Sequence, residues 1–172
     1  MATKSGIIYN MDKLYYSWDD LNRDCRIIVR EMAHESYKPE VIIGPGRGAY
    51  AFGVMMSHYY EVPFEAFRWQ TRDAHIEDSE TLEHILSKYN DKTVLVVDDI
   101  NDTGTTLQGI DAVITNYVAN NSNMMQYAHQ DIKFATLFDK ESSSFNKVEF
   151  TANNVLPDQE RWIVFPYEEG WR

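Results

Sequence analysis

The sequence predicts an α/β protein whose mostly parallel, twisted sheet is covered by helices on both faces. One observation is a repeated unit: an apolar run, a glycine turn and a helix occur through VIIGPGRG into Ala49 to Tyr60, and again through TVLVVDDINDTGTT into Leu107 to Val118. A second is the alternation of short strands with helical stripes along the chain, which favours parallel pairing with ligands at the carboxyl ends of the strands. A third is composition. The 172 residues, 44% hydrophobic and 25% charged, suit one globular domain spanning 1–172.

Ser17 is the expected N-cap of the first helix, because Trp18, Leu21, Cys25, Ile28, Val29 and Met32 recur at three- and four-residue steps up to about Glu35. Val41 to Ile43 is a strand ended by GPGRG, and Ala49 to Tyr60 is the helix behind it. Phe64 to Trp69 is a second strand, followed by the polar QTRDAHIEDSE, read as a mobile loop before a helix at Leu82 to Tyr89. Thr93 to Val97 is the strongest strand. After its helix, Tyr117 to Lys133 reads as a helix end plus surface loop. Phe134 to Phe138, Val148 to Thr151 and Arg161 to Phe165 complete the strands.

Sixteen Lys and Arg against 27 Asp and Glu give a net charge of −11, which opposes nonspecific binding to nucleic acid or anionic lipid. The first residues are too short and polar for a signal peptide, and no apolar run approaches the roughly 18 residues of a membrane span. The expectation is a cytoplasmic protein with neither nucleic acid nor membrane as a partner. Cys25, on the apolar helix stripe, is expected in the core, and the histidines show no metal-binding spacing.

The chemistry concentrates at VVDDINDTGTT. Exposed amides of Thr103 to Thr106, with the hydroxyls of Thr103, Thr105 and Thr106, can cradle a phosphate at a helix N-terminus, and Gly104 permits close backbone approach. Asp98 and Asp99 repel a phosphate, but they accept hydrogen bonds from sugar hydroxyls or hold a cation through water. A sugar phosphate needs both functions. The alternative is that Asp99, Asp102 and Thr103 merely cap a helix.

VLVVDDINDTGTT resembles the phosphoribosyl diphosphate (PRPP) fingerprint of the type I phosphoribosyltransferases: apolar residues, two acids, two variable residues and DTGxT. The order of the surrounding elements is similar over most of the chain. The resemblance implies that GPGRG at Gly44 to Gly48 binds pyrophosphate through Arg47 and the amides around Gly46 and Gly48. The family usually has two glycines after the basic residue, whereas Arg47 is followed by Gly48 and Ala49. By the same resemblance Asp98 and Asp99 anchor ribose, Asp99 also holding Mg2+ directly or through water. Asp102 accepts a purine N7 proton, and Arg72 of the catalytic-loop stretch WQTRD at Trp69 to Asp73, or Arg68 just before it, reaches the diphosphate on closure.

Within that family the xanthine-guanine enzymes are most similar in the C-terminal third. There a lysine after the FATLFDK-like strand contacts the purine 6-oxo group and an aromatic of a Trp-Ile-x-x-Pro segment stacks on the base; Lys140 and Trp162 match, and the Ile163 carbonyl can add base-edge contacts. Residues 140–172 are thus expected to contribute a small C-terminal hood over the base site. The implied reaction is transfer of phosphoribose from PRPP to guanine, xanthine or hypoxanthine with release of pyrophosphate, in purine salvage, by a homodimer or homotetramer. Alternatives are a PRPP-binding regulator and an enzyme for a pyrimidine or orotate base. A further rival takes Gly44, Gly46 and Ala49 as a dinucleotide fingerprint with Glu65 as the ribose acid, which would make an NAD-binding oxidoreductase.

Overall fold

Helix α1 (Trp18–His34) starts where local chemistry demands. The Ser17 hydroxyl accepts the Asp20 N–H, and the Asp20 carboxylate accepts the Ser17 N–H in return, a reciprocal capping box. Its stripe of Leu21, Cys25, Ile28, Val29 and Met32 is buried, as the spacing predicts. The computed structural model describes residues 13–69, 79–121 and 131–168. Around α1 the chain runs through β1 (Lys13–Tyr15), β2 (Val41–Pro45), α2 (Gly48–Tyr60), β3 (Phe64–Phe67), α3 (Ser79–Lys88), β4 (Val94–Asn101), α4 (Thr105–Asn121), β5 (Ile132–Lys140), β6 (Val148–Val155) and β7 (Trp162–Val164).

The main sheet has the order β3-β2-β4-β5-β6, and every neighbouring pair is parallel. Strands of such a sheet are buried on both faces, which accounts for the unbroken apolar runs VII and VLVV. Alternation sorts their side chains: Ile42, Leu95 and Val97 join the core under α1 and α2, whereas Val41, Ile43, Val94 and Val96 join the core under α3 and α4. The expected α/β architecture is therefore present.

Several boundaries differ from expectation. Strand β4 continues past Val97 to Asn101 because β5 supplies partners for the polar end, up to Asn101 opposite Asp139. Helix α4 runs on to Asn121, beyond the expected helix end. Strand β3 stops at Phe67 instead of Trp69. Strand β1, unanticipated, pairs with β7 in a separate two-stranded sheet, Lys13 opposite Trp162 and Leu14 opposite Ile163. Within 140–172, where a hood is expected, β6 is the fifth strand of the main sheet, held there by buried Phe150 and its pairing with β5, and β7 lies in the separate two-stranded sheet.

Candidate active site

Two loops meet at the carboxyl ends of β2 and β4. In the first, the Gly46 N–H donates to the Phe67 carbonyl at 2.7 Å, with Gly46 at φ +55°, a conformation that favours glycine. Gly48 then opens α2 hard against Asp99; a Cβ there would lie 2.5 Å from Asp99 Oδ2. Arg47 is exposed; its carbonyl accepts the Tyr50 N–H at 3.3 Å, and its guanidinium has no hydrogen-bond partner among the described residues. It borders an open cleft of about 1390 Å³, with Arg68, Trp69, Asp99 and Tyr167 also on its walls.

The second loop forms a cup of about 260 Å³ lined by residues from Asp98 to Leu107. Thr103 Oγ1 and Thr105 Oγ1 lie 3.0 Å apart at its rim, and both side chains are exposed. Gly104 takes φ +87° with its back to the turn after β5, where a Cβ would meet Phe145 N at 2.5 Å. Asp102 projects from the loop into an ion pair with Lys140, 2.5 Å between Oδ1 and Nζ, and Lys140 also reaches Glu160 at 3.5 Å.

Between the loops stand the two acids. Burial, and then the adjacent Asp99 charge, push the Asp98 carboxyl well above the usual range. Burial also raises Asp99, partly offset by the Tyr167 hydroxyl, which donates to Asp99 Oδ2 at 2.5 Å and lies 3.4 Å from the Gly48 carbonyl. Burial and Asp99 drive the Tyr167 hydroxyl far upward, so it stays a neutral donor. For Lys140, burial lowers the pKa, but the Asp102 hydrogen bond and the Asp102 and Glu160 charges outweigh it and hold the ammonium protonated.

The fold thus brings together Gly46, Arg47 and Gly48 with Asp99, and Asp98 with Asp99, Asp102, Thr103, Gly104, Thr105 and Thr106. Lys140 joins them through Asp102. It does not bring in Trp162, which is 50% exposed and borders neither cavity, and the Ile163 side chain is buried in the core. Arg72 lies outside the described residues; Arg68 is on the cleft wall. Sequence reasoning missed Tyr167, Glu160, Asn101 and the serines after β5. Three consecutive serines between two strands were the available signal for the last group; Tyr167 had none.

One alternative ends here. Glu65, the ribose acid of the dinucleotide reading, lies within β3 opposite Ile43 and accepts hydrogen bonds from Lys88 and Tyr89, so it is taken. Cys25 is buried and its thiol is pushed up to about 12, an inert core group. Among the described residues no three His, Cys, Asp or Glu side chains form a metal cluster, and no helix is long and apolar enough to cross a membrane. The hard carboxylate oxygens of Asp98 and Asp99 suit magnesium, provided most of its ligands come from substrate and water.

The model of the phosphoribosyl transferase domain matches residues 15–172. No curated protein sequence matches the chain. Among solved structures, a purine phosphoribosyltransferase from Pyrococcus horikoshii Ot3 is similar at 26% identity and TM-score 0.67, with 92% of this chain and 95% of that one covered. A Neisseria gonorrhoeae protein solved with bound ppGpp gives 18% identity and TM-score 0.68, covering 95% and 93%. The Helicobacter pylori xanthine-guanine-hypoxanthine phosphoribosyltransferase gives 19% and 0.62, covering 91% and 94%. With the family model spanning the cleft, the cup and both strand ends between them, the chain belongs to the phosphoribosyl transferase domain family and is a phosphoribosyltransferase.

Proposed function

We propose that the enzyme transfers the phosphoribosyl group of PRPP to a 6-oxopurine, releasing pyrophosphate, as a step of purine salvage in the cytoplasm. The observation that carries this reading is the Lys140–Asp102 pair at 2.5 Å. An ammonium donor beside a carboxylate acceptor complements the purine edge on which O6 accepts and N7–H donates. Adenine presents an amino group where the ammonium sits, which is a mismatch. The relation to a purine enzyme at 26% identity supports the same class.

In this mechanism the cup binds the 5′-phosphate through loop amides and the threonine hydroxyls. Asp98 and Asp99 accept the ribose hydroxyls, replacing with neutral donors what burial denies them. Arg47 and the amide of Gly48 hold the diphosphate, while the Gly46 N–H, taken by the Phe67 carbonyl, fixes the turn that presents them. The purine N9 attacks C1 of the ribose, the C1–O bond breaks with its electron pair leaving on pyrophosphate, and Asp102 takes the N7 proton. Asp99 would hold magnesium, directly or through water, and the ion would supply charge neutralisation for the departing diphosphate. The chain's own contribution is positioning and fixed electrostatics.

The β1–β7 sheet, with Trp162 and the Ile163 carbonyl, serves as the base hood in this reading, and Arg68 or Arg72 closes on the diphosphate. Assembly as a homodimer or homotetramer belongs to the same proposal. The test is nucleotide formation from PRPP and magnesium with guanine, xanthine, hypoxanthine, adenine and orotate in parallel. Product from the 6-oxopurines alone is expected; equal use of adenine, or use of orotate only, removes the base assignment.

A further inference from the structure

The turn after β5 is hydrogen-bonded to the back of the phosphate loop, and one buried side chain joins them. Asn101 is 1% exposed. Its Nδ2 donates to Asp139 Oδ1 at 2.7 Å and to the Phe145 carbonyl at 2.8 Å, while its Oδ1 accepts from Ser143 Oγ at 2.8 Å. Every polar atom of the amide is used, in a position where a leucine or valine would end the apolar strand without needing any partner.

The other end of this network lands on the loop itself. Ser144 donates twice to the Thr103 carbonyl, from N at 3.1 Å and from Oγ at 2.7 Å. Gln108 of α4 closes the ring by donating to the Ser144 carbonyl at 2.9 Å. In a planar trans peptide the carbonyl and the next N–H point in opposite directions. Holding the Thr103 carbonyl back on the turn therefore aims the Gly104 N–H away from it, into the cup. The same turn begins at Lys140, whose carbonyl accepts the Ser143 N–H at 2.9 Å.

We infer that Asn101 is a positioning residue for the phosphate loop: through Ser143 and Ser144 it fixes the Thr103–Gly104 peptide with its N–H toward the phosphate, and it ties that peptide to the strand end bearing Lys140. The inference rests on the proposal that the cup receives the 5′-phosphate. It adds a function for the serine turn that the fingerprint does not contain.

Binding of PRPP and of pyrophosphate alone, measured by calorimetry, separates the loops, because pyrophosphate engages the Arg47 side and leaves the cup empty. Asn101→Leu, which removes three hydrogen bonds, is expected to weaken PRPP about tenfold, and Ser144→Ala, which removes one exposed hydrogen bond to the loop, about threefold. Pyrophosphate affinity stays at the wild-type value in both. The double variant weakens PRPP no more than Asn101→Leu alone, since both act through one peptide. Should Asn101→Leu not fold, Ser144→Ala and Ser143→Ala carry the same comparison. Unchanged PRPP affinity in the serine variants, or equal weakening of PRPP and pyrophosphate, overturns the inference. Wild-type protein that binds PRPP no more tightly than pyrophosphate would instead bring down the phosphate cup and the inference with it.

Discussion

After β2 the chain turns through Gly46 and Arg47 into α2, and after β4 it turns through Asp102, Thr103 and Gly104 into α4. Both are strand, glycine turn and helix, and in the proposed mechanism both present a helix N-terminus to an anion. The first is held by close packing and a backbone hydrogen bond: Gly44 against Ala49, Gly48 against Asp99 and the Gly46 N–H on the Phe67 carbonyl, with the Arg47 guanidinium unattached among the described residues and no side-chain cap on α2. The second is held by a hydrogen-bonded ring through Asn101, Ser143, Ser144 and Gln108. The difference matches what each would hold. A phosphate that stays on the substrate throughout wants fixed donors, whereas a pyrophosphate that gains charge and departs is served by an arginine free to follow it.

The largest effect is expected on the fixed side. Asp102→Asn keeps the shape of the loop but removes the proton acceptor, so kcat should fall about a hundredfold or more while PRPP affinity changes little. Steady-state kinetics with saturating guanine check this. A variant with wild-type turnover would leave Asp102 as a partner of Lys140 and nothing more.

Glycine substitutions probe the comparison directly. At Gly104 an added Cβ meets backbone, Phe145 N at 2.5 Å, in addition to the strain of φ +87°. Backbone cannot step aside, and a loop displaced by about 1 Å costs on the order of a hundredfold in kcat/KM. At Gly48 the Cβ meets a carboxylate, the Asp99 side chain, which can rotate away from Tyr167; the expected loss is about tenfold. At Gly46 the nearest atom is Trp69 O at 3.9 Å, so only the strain of φ +55° remains, about 1 kcal/mol. Kinetics on the three alanine variants give the ranking. Equal losses at Gly104 and Gly46 would erase the distinction between a fixed and a yielding loop.

Lys140→Ala should raise KM for guanine about tenfold, the loss of a charge-assisted hydrogen bond, with KM for PRPP nearly unchanged. Comparing guanine with adenine in the same variant checks its origin: specificity should relax as guanine use falls. Equal loss for both bases would assign Lys140 to holding Asp102 in place.

How much of this could be read from the chain follows from the range of the interactions. The α1 capping box and stripe, the apolar runs of β2 and β4 and the DTGTT turn depend on neighbours a few residues apart, so spacing exposes them. The pairing of β1 with β7, Tyr167 on Asp99 and Ser144 on Thr103 join distant segments through single side chains or short polar strands, which leave no periodicity. Glu65 illustrates the converse. Its distance from the glycines fits a dinucleotide fingerprint, yet Lys88 and Tyr89 of a later helix and turn claim its carboxylate. Trp162 matches the family by resemblance alone, a match that carries no local physical signal, and it stands half exposed on β7.

The smallest expected effect is on stability, and it falls on the acids between the two loops. Asp98 has its pKa raised in the folded state above the ordinary 3.8 by burial and by Asp99, with Asp99 itself raised and Glu168 adding negative charge nearby. The native protein therefore binds more protons than the unfolded chain as pH climbs through the window between the two values, and stability falls with rising pH there. Below about pH 4 both states are protonated and the penalty is absent. Asp98→Asn removes the ionisation, so the substrate-free variant should melt a few degrees above wild type at pH 8, with the gap closing toward pH 4. Its PRPP affinity should drop at the same time, because the neutral amide is a weaker acceptor for a ribose hydroxyl. Thermal scans across that pH range read the first effect and calorimetry the second. A variant less stable than wild type at pH 8 would mean that the Asp98 carboxylate, which accepts the Asp99 N–H at 3.0 Å, holds the strand end together instead of straining it.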